Sequence, residues 1–120
     1  MTTMADKKFD LEERTAVFGE EVIEFVKRIP KDIIINVLTV QLVRAATSVG
    51  ANYCEADDAV SKKDFKNKIG LCRKESRETK HWLRMIATAN ENLKDDSRKL
   101  WTEAKELNLI FSKIFNSCDV

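Results

Sequence analysis

The sequence predicts an all-α protein: an antiparallel up-down-up-down four-helix bundle that assembles as a cyclic homo-oligomer. Three observations lead there. Three glycines and one proline among 120 residues leave almost none of the punctuation that β-hairpins need. Apolar residues recur at three- and four-residue steps in four successive tracts, the spacing of one helical face. Two of those tracts also carry more apolar side chains than a single buried stripe requires.

Residues 1–9 read as a polar arm, and residues 10–118 as one domain. Asp10 is an N-cap with Glu13 three positions on, and Phe9 can form the outer half of a hydrophobic staple. Leu11, Thr15, Phe18, Val22, Phe25 or Val26, and Ile29 then share a face. Pro30 stops this first helix. Asp32 caps the second, which runs to about Ala59. Its Ile33-Ile34-Ile35 run favours extended structure locally, but a lone strand would have no partner. Leu38, Leu42, Ala45, Val49, Tyr53 and Ala56 form its apolar face. Ser61 and Asp64 make a capping box for a third helix from about Lys62 to Asn90, with Phe65, Ile69, Cys72, Ser76, Thr79, Leu83 and Ile86 turned to the core. Residues 92–97 read as a connection, and Asp95 or Asp96 as the start of a fourth helix. Its inward residues are Leu100, Ala104, Leu107, Phe111, Ile114 and Cys118.

The formal net charge is +1, so any electrostatic function must come from segregation of charge rather than its total. The first helix region carries six carboxylates against three cations. Between Ser61 and Ile86 there are nine Lys or Arg and three Asp or Glu. Cys54, Cys72 and Cys118 show no metal-ligand or CxxC spacing and read as thiols of a reducing compartment. No apolar signal segment opens the chain, and its longest uninterrupted apolar run is far too short for a membrane span. These features predict a cytoplasmic protein with no membrane association.

Three surface patterns are candidate sites. Gln41, Arg44, Ser48, Asn52 and Glu55 step along one edge of the second helix. With Glu78 they form a polar seam suited to holding helices or subunits in register, and Glu75 and Glu78 are candidate partners for Arg44. Lys66, Arg73, Arg77, Lys80 and Arg84 form a basic row on the third helix, about 27 Å long at 1.5 Å per residue. Such a row can follow backbone phosphates, unless the acidic first helix or Glu75 and Glu78 neutralise it. Gly70, in the middle of the row, allows a neighbouring helix to come close. Leu71, Trp82, Met85, Trp101, Leu109 and Ile110 lie off the core stripes. They read as an oligomer interface, the alternative being a monomer with a wide core.

No catalytic, metal or cofactor site is expected. Glu78 and His81 have the E-x-x-H spacing of di-iron helical proteins, but those sites need a second such motif and further inward carboxylates. Arg77 and His81 stand too close in sequence for the RNA-cleaving arrangement of HEPN-type bundles. The expectation is a nonenzymatic nucleic-acid-binding or accessory protein, or alternatively a protein-interaction scaffold that binds no nucleic acid.

The segment QLVRAATSVGANYCEA in the second helix, then Ser61, Asp64 and Phe65, then KESRETKHWL in the third, resembles the bacterial ribosomal RNA intervening-sequence protein family. The resemblance runs from Phe9 to about Ser117 and rests on Gln41, Arg44, Ala45, Ser48, Ala51, Asn52, Glu55, Phe65, Ser76, Glu78 and Leu83 in combination. It implies an antiparallel four-helix bundle assembled as a ring, typically a pentamer. It also implies kinship with the accessory protein of diversity-generating retroelements, which is a basic pentamer that binds nucleic acid and a reverse transcriptase. This chain differs from those basic relatives in being nearly neutral.

Overall fold

The computed structural model describes residues 10–120, so the arm read at residues 1–9 lies outside the described residues. The described residues contain four α-helices and no strand: α1 (Leu11–Lys27), α2 (Ile33–Asp57), α3 (Lys62–Ala89) and α4 (Lys94–Ser117). A short 3-10 turn, Glu91–Leu93, leads into α4.

The caps act where the sequence places them. The carboxylates of Asp10 and Asp32 accept from the backbone N–H of Glu13 (3.3 Å) and Ile35 (2.8 Å). Ser61 Oγ accepts from Asp64 N–H at 3.0 Å. Each satisfies one of the orphan donors of a helix start. The α4 start differs from expectation. Asn90 caps the 3-10 turn through Asn92 N–H, and the chain passes directly into α4 at Lys94. Asp95 and Asp96 therefore lie in the first turn of α4, where their charge complements the helix dipole.

One core runs through all four helices. Phe18, Val22 and Phe25 of α1 meet Leu42, Ala46 and Val49 of α2, Ile69, Cys72, Leu83 and Ile86 of α3, and Leu107 and Phe111 of α4. Helices α1 and α2 approach closely because small residues line their crossing. A Cβ added at Gly50 would stand 3.3 Å from Thr15 Oγ1, and one at Gly19 would stand 3.7 Å from Thr47. Thr15 directs its hydroxyl back to the Leu11 carbonyl, 2.7 Å away, so its burial leaves no unpaired donor. Arg14 ties α1 to α4. Its guanidinium makes two hydrogen bonds to Glu103, at 2.9 and 2.8 Å, and reaches Glu106 at 3.3 Å. The Glu103 hydrogen bond raises the Arg14 pKa, against the burial that lowers it.

Cys72 is fully buried, and that burial pushes its thiol up to about 12 from an ordinary value of 9.0. The neutral thiol is thus the form the fold accommodates. Its contribution is complete below pH 9.0 and is lost as the pH rises toward 12, because only the unfolded chain can ionise there. The loss is about 1.4 kcal/mol for each pH unit in that window. Urea denaturation of the wild type at pH 8 and 10 is expected to show this decline, with a smaller decline in Cys72→Ala. Equal pH dependence in the two proteins would contradict it.

Two features of the structure were not anticipated from the sequence. By length and composition α2 is apolar enough to cross a membrane, which the longest uninterrupted apolar run did not reveal. Only 28% of its most apolar window is buried within the chain, so much of that apolar character faces outward. Trp82, Trp101 and Ile110 are half-buried and pack against the chain's own core. Met85 is half-buried too, so only Leu71 and Leu109 of that set are exposed. The two tryptophans therefore do not need a second subunit to account for them. The widest exposed apolar surface lies instead on α2, at Ile33, Ile34, Val37 and Val40.

Candidate nucleic-acid interface and polar seam

The polar residues of α2 meet α3, whereas the basic row of α3 lies toward α4, and Glu78 belongs to both sites. On the α2–α3 side, Arg44 bridges two carboxylates, reaching Glu75 Oε2 at 2.9 Å and Glu78 Oε1 at 3.1 Å. Gln41 Oε1 steadies the guanidinium from within α2 at 3.4 Å. Glu55 pairs with Lys68 at 3.3 Å farther along the same seam. Ser48 and Asn52 turn back on their own helix, donating to the carbonyls of Arg44 (2.6 Å) and Ser48 (2.9 Å). Gln41, Arg44, Glu55 and Glu78 thus connect side chains, whereas Ser48 and Asn52 satisfy local backbone acceptors.

Glu75 is the demanding member, because its side chain is only 10% exposed and its Oε1 has no hydrogen-bond partner in the described structure. Removing Arg44 would leave a buried carboxylate without its cation. Arg44→Ala is therefore expected to cost about 1–3 kcal/mol, discounted because the guanidinium is itself half exposed. Adding Glu75→Leu should recover part of the loss. Urea denaturation of the two single variants and the double variant measures this coupling, and purely additive effects would contradict it.

On the α3–α4 side a groove takes in two members of the row, Arg73 and Arg77, while Lys66, Lys80 and Arg84 lie outside its lining. Gly70, Arg73, Lys74, Arg77, Glu78, His81, Asn108 and Ser112 line it. Gly70 sets its shape, since a Cβ there would lie 3.1 Å from Phe115 Cε2. Without that Cβ, Phe115 packs against α3, and its ring carries Arg73 at 3.9 Å and Lys66 Nζ at 4.8 Å. Trp101 does the same for Lys80 at 5.5 Å and Lys105 at 5.7 Å. Cations on aromatic faces keep their charge while losing conformational freedom. Asn108 pins the two helices together, donating to the Arg73 carbonyl at 2.8 Å and to Ser76 Oγ at 3.2 Å.

The charge of this row is not spent within the chain. Among the described residues, Arg73, Arg77, Lys80 and Arg84 make no ion pair, because Glu75 and Glu78 are held by Arg44 and no α1 carboxylate comes within range. Lys66 is the exception. It donates to the Val120 main-chain oxygen at 2.9 Å, which draws it toward the C-terminal end. Lys74, Asn108 and Ser112 belong to the groove although sequence reasoning did not single them out. Lys74 lies just off the chosen row, and the α4 residues become visible only once the two helices are paired. His81 lies edge-on to Trp82, with ring centroids 5.0 Å apart. Among the described residues no group of three or more His, Cys, Asp or Glu is placed to hold a metal ion.

These features define a four-helix, all-α protein with an ion-paired seam between α2 and α3 and a basic groove between α3 and α4 that share Glu78. The chain belongs to the 23S rRNA-intervening sequence protein family, whose model matches residues 7–113. Among solved structures it is similar to a protein of unknown function from the S23 ribosomal protein family of Bacteroides thetaiotaomicron. The two share 25% identity and superpose with a TM-score of 0.77, over 88% of this chain and 98% of that one. No curated protein matches the sequence.

Proposed function

We propose that this chain is a nonenzymatic, oligomeric nucleic-acid-binding accessory protein that holds an RNA backbone along the α3–α4 groove. The observation that carries this reading is the set of four cations, Arg73, Arg77, Lys80 and Arg84, that have no carboxylate partner among the described residues. Two of them are held on aromatic rings, so little further ordering is needed when phosphate binds. The family description, which names an rRNA intervening sequence, makes RNA the polyanion to test first.

An antiparallel up-down-up-down arrangement supports the reading. The pairs Glu55–Lys68 and Arg44–Glu75 advance in opposite directions along α2 and α3. A cyclic homo-oligomer, a pentamer by the family resemblance, would repeat the groove around a ring. That repetition gives a chain of net charge +1 a concentrated positive field.

Binding of a single-stranded RNA at 50 and 200 mM salt tests the proposal. Four phosphate contacts on one protomer give a slope of about −3 in log K against log salt, a weakening of roughly 50-fold over that range. Absence of binding at 50 mM, or binding without salt dependence, would overturn it. The alternative scaffold role would instead yield a protein partner whose capture survives nuclease and high salt.

A further inference from the structure

We propose that the exposed apolar stripe at the start of α2 docks into the α1–α2 groove of a second copy of this chain. Ile33, Val37 and Val40 recur at four- and three-residue steps and are 84%, 64% and 67% exposed, with Ile34 beside them at 63%. No charged residue interrupts the chain between Asp32 and Arg44. Four such side chains together reach the few-hundred-Å2 size at which an apolar patch marks an interaction site. They would supply a large part of the roughly 800 Å2 that a standard interface takes from each partner.

The complementary surface is on the same molecule. The groove between α1 and α2 has a volume of about 560 Å3 and is lined by the small or apolar residues Ala16, Gly19, Ile23, Thr47, Ala51 and Cys54. Its depth follows from the close helix crossing at Gly19 and Gly50. Glu12, Glu13 and Glu20 border it, and none of them makes an ion pair among the described residues. Arg28 and Lys31 flank the start of the stripe and are likewise without ion pairs there. Apolar character and charge therefore match between stripe and groove.

The match cannot be made within one chain. Both surfaces include α2, the stripe at residues 33–40 and the groove at residues 47–54, and a continuous helix cannot fold back on itself. A second copy presents the partner surface at equal concentration. This inference deepens the oligomeric part of the proposed function, and it is tested without RNA so that the two can fail separately.

The experiment uses two complementary variants, both at exposed positions. Val37→Glu disables the stripe, and Ala51→Arg fills the groove. Sedimentation of the wild type is expected to give a multiple of 13.8 kDa. Each variant alone is expected to be a monomer with wild-type helical content. Mixed, they are expected to form a one-to-one pair, because one retains the groove and the other the stripe. A monomeric wild type, variants that assemble normally, or a mixture that stays monomeric would each overturn the proposal. So would capture of monomeric wild type on anionic phospholipid vesicles that Val37→Glu abolishes, since that result assigns the stripe to a membrane.

Discussion

Replacing Phe111 with alanine is expected to cost about 3–5 kcal/mol, the largest loss of stability from any single substitution considered. Phe111 is fully buried on the core face of α4, and its ring lies 6.0 Å from that of Tyr53 on α2. It therefore joins helices that are not neighbours in sequence. A domain of this size has a total margin of about 5–15 kcal/mol, so the variant should sit near the limit of folding. Urea denaturation should show a midpoint lowered by about 2–3 M with little change in slope. Leu109→Ala, two residues away but 59% exposed, should fall within about 0.5 kcal/mol of the wild type. Equal effects at the two positions would contradict the assignment of the α4 core face.

The second large effect concerns binding. Reversing Arg73, Arg77 and Arg84 to Glu replaces three unpaired cations of the α3 row, two of which line the α3–α4 groove, with three anions. The salt slope for single-stranded RNA should fall by about 2, and affinity at low salt by at least about 100-fold. Arg73 lies on the Phe115 ring, while Arg77 and Arg84 are exposed, so none of the three supports the buried core. Stability should accordingly change little, and unaltered affinity with an unaltered slope would remove the groove from the binding surface.

Much of the fold was legible because its signals are local. Asp10, Asp32 and Ser61 cap helices through backbone groups three residues away, a relation set by sequence spacing alone. The core faces follow the same periodicity. The contact of Arg44 with Glu75 and Glu78 was foreseeable because an arginine edging an apolar stripe needs a carboxylate across the seam. What stayed hidden depends on which helices meet and how far each is rotated. Trp101 lies outside the narrow α4 stripe, yet the small rotation that brings it onto the core also places it beneath Lys80. Arg14 reads as an isolated cation in an acidic helix until α4 brings Glu103 and Glu106 beside it. The outward stripe of α2 was masked because no charged residue between Asp32 and Arg44 marks the face turned to solvent.

The α3–α4 row was the hardest feature to judge from sequence, because its meaning turned on whether other groups neutralise it. The structure answers through a competing pair. Arg44 takes both carboxylates on the neighbouring face of α3 and leaves the row free. The seam thus contributes to the groove indirectly, by pairing Glu78, which lines it, with Arg44.

The most direct test of an oligomer that binds RNA is the mass of the protein in solution, measured with and without a single-stranded RNA at low salt. The expected result is a species larger than the 13.8 kDa monomer that gains RNA and releases it as salt rises, without falling apart. A monomer whose mass is unchanged by RNA would contradict both halves of the proposal.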